Sequence, residues 1–243
     1  MEYGIQLYSV RDLSQESLEE ALRQVAKLGY KYVEFAGFFG HSAQDVCRML
    51  RETGLKISGT HTNCDELQPD RLAATIAYHK EIGNPNLIIP GADYSTREKL
   101  DELVALINRV QPVLADAGIR LGYHNHAKEF LVTDYGAYVH KELEERTNVE
   151  FEIDTYWAYV AGQDPVALLT RLKDRVHVIH LKDGSAEGHG TPLGEGTAPV
   201  AAVRAYAIAN GIRMVVESET CNPSGINEAE RCIRYLNAAD QND

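Results

Sequence analysis

Apolar positions along this chain switch repeatedly between a period of two and a period near 3.6, the signatures of strand and helix. Gly4–Val10 is a short strand-like run. Ser14 is read as the N-cap of the helix that follows, with Leu18, Leu22, Val25 and Leu28 on one face and Gly29 as its stop. Tyr32–Ala36 is a second strand, and Ser42 opens a second helix that again ends in Gly. Lys56–Thr62 is a third strand; Pro69 lies in the first turn of a helix running to about Ile82. Asn86–Pro90 is a fourth, followed by a long helix capped by Ser95 or Thr96 and ending near Ala117. The fifth strand rises to Tyr123 and a helix follows near Tyr135–Arg146. The sixth strand ends in Asp154, and Asp164 and Pro165 start the next helix. A seventh strand runs through His177–Asp183; a helix near Val200–Asn210, an eighth strand at Met214–Glu219 and a final helix near Asn227–Leu236 complete the chain.

Eight strand–helix units in alternation predict a parallel sheet. The chain has 243 residues, and a closed (β/α)₈ barrel takes about 250, so residues 1–243 are read as a single α/β domain of the TIM-barrel type. No GxGxxG follows the first strand, which disfavours a Rossmann arrangement. The barrel places functional groups at strand C-termini, and polar residues gather there. Strand five delivers His124, Asn125, His126 and Glu129 in quick succession; strands six, seven and eight end at Asp154, His180 and Glu217. Period-two phasing points Glu34, His61, His124, Asp154, His180 and Glu217 into one barrel mouth, with Glu152 one layer below Asp154. His177 and Asp183 fall on the other phase, as structural or solvated residues.

Composition narrows the function. Hydrophobic content is 44% and charged content 25%, ordinary for a soluble globular protein. The net charge of −12 argues against a nucleic-acid partner. No apolar run approaches the roughly 20 residues a membrane span needs, so no membrane partner is expected. The opening MEYGIQLYSVRD lacks the pattern of a signal peptide. Cys47, Cys64, Cys221 and Cys232 form no CxxC pair and are read as reduced thiols. The expectation is a cytoplasmic protein with a small neutral ligand rather than a nucleic acid or membrane partner, in which a homo-oligomer is possible.

Carboxylates and histidines converging in one mouth suit one divalent ion, and mixed N/O donors fit Mn, Co, Zn or Fe. Such an ion binds substrate oxygens and stabilises an enediolate as a Lewis acid, while a neighbouring carboxylate moves a proton on and off carbon. Taken singly, His61 also fits a satisfied core histidine and Glu34 a buried ion-pair partner. Four equivalent strand tips are harder to explain as packing, because buried charges are costly unless paired or metal-bound. Trp157 and neighbouring tyrosines fit a sugar-binding wall or core packing. The glycine-rich stretch 184–198 is long enough to act as a lid.

The stretches IQLYSVRD, YVEFAGFFG, LGYHNHAKEF, EIDTYWAYVAGQDP, HLKDG, LGEG and VVESE make the chain similar, over nearly its full length, to the sugar phosphate isomerase/epimerase family of xylose-isomerase-like TIM barrels. The resemblance implies one divalent ion held by Asp154, His180, Glu217 and a strand-five residue. Many relatives carry Glu on strand five; here it is His124, with His126 on the same phase, and the fourth ligand stays open between them. The resemblance also implies an acid/base pair from strands five and eight. Glu217 keeps one role, and Lys182 or His124 is left for the other. Glu34, His61, His126 and Trp157 are expected to bind substrate, and Glu152 to orient a strand-five histidine. The implied activity is a metal-dependent sugar or keto-sugar isomerase or epimerase. The alternatives are a lyase or dehydratase acting on a keto-sugar or keto-inositol, a branch to which the YHNH pattern stands closer, and a non-catalytic sugar-binding barrel. An endonuclease acting at abasic DNA would share the barrel but needs a basic groove.

Overall fold

The computed structural model describes residues 1–241. Eight parallel strands, Gly4–Gln6, Tyr32–Phe35, Lys56–His61, Asn86–Ile89, Arg120–His124, Glu150–Asp154, Val178–Leu181 and Arg213–Val216, close into a barrel in chain order, the first pairing with the eighth. This is the TIM barrel that the alternation predicts. Helices pack outside, and Ile5, Val33, Leu87, Leu121, Ile153, Ile179 and Val216 bury their side chains as part of the core.

Several boundaries differ from the sequence reading, each for a local reason. The first strand stops at Gln6, because the Gln6 side chain accepts from the Tyr8 N–H and turns the chain into a 3-10 segment, Leu7–Val10. Ser14 is not the cap of the first long helix; it ends a short helix, Arg11–Ser14, and Ser17 caps Leu18–Leu28 by accepting from the Glu20 N–H. The helix expected from Pro69 begins at Leu72, after a 3-10 turn at Cys64–Leu67. The helix expected near Tyr135 begins at Val139, because Thr133 and Ala137 close a turn ahead of it. The last helix runs Gly225–Asp240, capped by Ser224. Thr96 caps the long helix Arg97–Asp116.

The 184–198 stretch is not structureless. Asp183–Gly184 and Gly190–Thr191 form a two-stranded ribbon. Asp183, buried on the phase read as structural, accepts from the N–H groups of Gly184 (2.8 Å), Gly194 (2.9 Å), Gly196 (3.1 Å) and Ala198 (3.1 Å). A Cβ at Gly196 would collide with Asp183 and Gly184. The DG and LGEG stretches are thus two halves of one carboxylate-centred clasp. No helix among the described residues is long and apolar enough to cross a membrane.

Candidate active site

Asp154 does two jobs at the end of the sixth strand. One oxygen, Oδ1, accepts from the Trp157 N–H at 2.8 Å and caps a short helix, Thr155–Val160, that sequence periodicity did not reveal. The other, Oδ2, is buried with no hydrogen-bond partner. Asn125 fixes this posture: its Oδ1 accepts from the Asp154 N–H (3.1 Å) and its Nδ2 donates to the Asp154 carbonyl (3.2 Å). Asp154 therefore holds a free carboxylate oxygen toward the barrel mouth.

Three other strand tips aim at the same space. His124 ends strand five, buried, with neither ring nitrogen partnered, and its Nε2 lies 3.7 Å from Asp154 Oδ2. His180 Nδ1 lies 3.4 Å from Glu217 Oε2 and 3.9 Å from Asp154 Oδ2. Its Nε2 is 2.8 Å from Glu34 Oε1, a contact that turns Nδ1 toward the mouth. One donor atom from each of His124, Asp154, His180 and Glu217 lies within 4.8 Å of all the others. Ligands about 2.1 Å from one ion stand roughly 3 to 4 Å apart, so this set fits a divalent ion. The buried, unpartnered atoms of His124, Asp154 and His180 are the physical sign of that fit, since buried polar atoms otherwise find partners. The set includes His124. His126 lies beyond the strand end, where its N–H donates to Glu129 Oε2 at 2.9 Å, so the period-two phasing that grouped the two histidines stops at His124.

A second group lies around the inner nitrogen of His180. Glu34, His61 and Glu152 meet its Nε2. His61 Nε2 is 2.9 Å from Glu152 Oε2 and 3.2 Å from Glu34 Oε1. Glu152 was expected to orient a strand-five histidine; its partner is instead His61 on strand three, across the barrel. Burial works against protonating His61, but Glu152 and Glu34 raise it to about 9. Burial likewise opposes the charge on Glu34, yet His180 and His61 hold its carboxyl well below the usual range. Burial pushes Glu152 up to about 8, with the charge of Glu34 adding to it. Of the two carboxyls, Glu34 is the one held charged.

Lys182 is buried beneath the mouth. Its ammonium lies 2.7 Å from Glu219 Oε2, 3.3 Å from Glu217 Oε2 and 4.0 Å from Asp154 Oδ2, and 4.8 Å from the Trp157 ring centre. Burial disfavours its charge, but Glu217, Asp154 and Glu219 more than compensate and raise its pKa. Lys182 is thus held as a cation. Burial opposes ionisation of Glu217, while Lys182 and His180 keep it well below the usual carboxylate range. Glu219 is shifted the other way, chiefly by burial. Burial pushes His124 down to about 4, so it is neutral at pH 7.

A cavity of about 800 Å³ opens above this cluster. His61, His124, His126 and Glu217 border it; Trp157, expected on its wall, does not, because its ring is stacked beneath Lys182. Glu34, Asp154, His180 and Lys182 lie behind the wall rather than on it. Sequence reasoning passed over Glu219, which does line the cavity. A signal was present, since Glu217 and Glu219 lie two residues apart on the eighth strand's exit. Asn125 was noticed, but its grip on Asp154 joins residues 29 apart and carries no local signature.

The sequence profile described as xylose isomerase-like TIM barrel matches residues 22–239. Over 189 residues the chain is 34% identical to inosose dehydratase of Geobacillus kaustophilus, a match covering 68% of this chain and 61% of that protein. The chain spans about three fifths of the length of the curated relatives it matches. Among solved structures, a sugar phosphate isomerase/epimerase from Parabacteroides distasonis superposes with a TM-score of 0.83 at 27% identity, covering 97% of each chain. A probable 3-DHS dehydratase from Bacillus anthracis has a TM-score of 0.78 at 14% identity, covering 98% of this chain and 99% of that one, a likeness of fold.

Proposed function

This chain belongs to the xylose isomerase-like TIM barrel family, and from that premise we propose that it dehydrates a keto-sugar or keto-inositol. The observation that carries the reading is a pair of carboxylates on one cavity wall, Glu217 and Glu219, both held by the ammonium of Lys182 at 3.3 and 2.7 Å. Glu217 removes the proton from the carbon beside the carbonyl. The C–H electron pair becomes the new C=C bond, the C–O bond on the next carbon breaks, and the leaving oxygen takes a proton from Glu219 and departs as water. Glu217 then loses its proton and Glu219 regains one by exchange with water in the cavity, while Lys182 stays an ammonium beside both, which restores the starting state.

A divalent ion held by His124, Asp154, His180 and Glu217 would supply electrostatic stabilisation of negative charge on the substrate's oxygens. His180 is oriented for that role by Glu34, and Asp154 by Asn125. His61 and His126, on the cavity wall, are placed to hydrogen-bond substrate hydroxyls.

Dehydration is preferred to the isomerisation or epimerisation that the sequence puts first. Epimerisation wants acid/base groups on opposite faces of the substrate, and the strand-five carboxylate of many relatives is His124 here. The 34% identity with an inosose dehydratase supports the same choice. One observation favours the second reading: neutral His124 borders the cavity and could return a proton to carbon.

Incubation with inosose in deuterated buffer tests the choice. Dehydration gives a product lighter by one water, with the absorbance of a conjugated carbonyl. An epimerised, deuterium-labelled ketose with no loss of water would transfer the assignment to the second reading.

A further inference from the structure

The cavity extends well beyond the cluster, and only to one side. From Glu217 and His124 it runs out over the exits of strands two and three to the helix Leu72–Glu81. Its volume of about 800 Å³ lies toward the upper end of ligand pockets, about 300–1,000 Å³, and is several times that of one sugar ring. The far end is built of Ala36, Phe38, Ala74 and Tyr78. Phe38 is braced, its ring centre 5.1 Å from Phe35 and 4.7 Å from Tyr78. Tyr78 is fixed in turn by its hydroxyl, which donates to the His41 carbonyl at 2.9 Å. This is a fixed apolar wall rather than loose surface.

Glu66, Asp70, Arg71 and Thr75 edge that end, and one further polar group there is a buried histidine. His79 is buried, and its Nδ1 is engaged by Asn84 Nδ2 at 3.0 Å. The amide donates, so Nδ1 accepts and Nε2 carries the hydrogen. No partner for Nε2 is found among the described residues, and His79 borders the cavity. Burial keeps the ring neutral, pushing its pKa down to about 4.

The charges bordering the cavity disfavour an anion, since protonated His61 on the wall is already paired with Glu152 and Glu34. Glu66, Asp70, Glu217 and Glu219 line it, and the one Arg or Lys on the wall, Arg71, is 2.9 Å from Glu66. A phosphate would meet carboxylates and no free arginine or lysine.

We infer that this extension is a second subsite, taking an uncharged aromatic ring carried by the substrate sugar, with His79 Nε2–H available to an acceptor substituent on that ring. The substrate class is then an unphosphorylated keto-sugar bearing an aryl or similar group, with the sugar end at Glu217. The inference rests on the sugar reading given above for the reacting end.

Calorimetric titration of the purified protein with phenyl glucopyranoside, methyl glucopyranoside and glucose 6-phosphate tests it. Phenyl glucoside is expected to bind about tenfold or more tighter than methyl glucoside, because the ring leaves water for the Phe38–Tyr78 wall. Glucose 6-phosphate is expected to bind most weakly. Ala74→Asp, on an exposed helix position, should cut the phenyl preference below about threefold; Phe38→Ala, with folding checked by circular dichroism, should do the same. Equal binding of the two glycosides, no binding of either, tighter glucose 6-phosphate, or a preference untouched by both substitutions would overturn the subsite. Turnover of inosose separates the two ideas. An active enzyme without phenyl preference keeps the dehydratase reading and loses the subsite, and an inert protein that prefers the phenyl glucoside does the reverse.

Discussion

Asn125 holds Asp154 by both main-chain groups, accepting from its N–H and donating to its carbonyl. The strand-five amide thereby sets where a strand-six carboxylate stands. Asn125→Ala leaves a buried N–H and a buried carbonyl unpaired, at a cost of about 2 kcal/mol or more. It should also weaken uptake of a divalent ion roughly 10- to 100-fold, the usual effect of losing a group that orients a ligand. Urea denaturation and competition with a chelator measure the two effects. Loss of stability with unaltered ion affinity would show that Asn125 only braces the fold.

Glu217 and Asp154 belong to the same group of four but are placed differently. Glu217 lines the cavity, whereas Asp154 lies behind the wall, with one oxygen committed to the Trp157 N–H. Glu217→Gln should fold, keep part of its ion affinity, and lose turnover by roughly 10²-fold or more, the contribution of a general base. Asp154→Asn should lose ion binding and activity together. Near-normal turnover of Glu217→Gln with the ion in place would move the base to His124.

The strand tips were legible because a carboxylate or histidine that ends an apolar run has few places to go except the barrel mouth. Asp154, His180 and Glu217 were read that way, and their donor atoms converge. What stayed hidden depends on contacts made across the fold. Glu152 was paired with the neighbouring strand, but its side chain reaches His61 across the barrel axis. Trp157 fits a sugar-binding wall or core packing by residue type alone. The helix capped by Asp154 turns it under Lys182 instead. Gln6 ended the first strand through a side-chain contact that periodicity does not register.

Asp183 organises the loop that the sequence suggested as a lid. Its carboxylate accepts four backbone N–H groups from Gly184 to Ala198, each a charge-assisted bond. Asp183→Ala should free the segment and raise the rate of limited proteolysis within 185–197 by about tenfold or more, equivalent to losing one such bond. The same assay on the unaltered protein tests closure: saturating substrate should slow cleavage. Equal rates with and without substrate would show that the loop does not close over the site.

His79 gives the fold a defined acid sensitivity. Its ring is buried, with Nδ1 accepting from Asn84, and its folded pKa is down at about 4 against an ordinary 6.5. The unfolded chain therefore binds a proton that the folded chain refuses. That contribution to stability is present above about pH 6.5 and is lost as pH falls through the window from 6.5 toward 4. His124 acts in the same direction in ion-free protein, since burial also pushes it to about 4. His61 acts oppositely: raised to about 9, it stabilises fully below about pH 6.5 and loses that contribution as pH rises toward 9. The total pH profile mixes these signs, so the informative quantity is a difference. Between about pH 7 and pH 5, above the ordinary carboxylate range, His79→Gln should lose about 1–2 kcal/mol less stability than the unaltered protein. Urea denaturation of both proteins across that interval measures it. Parallel curves would mean that His79 takes up its proton without leaving its site, and that its ring is less sealed from water than its burial indicates.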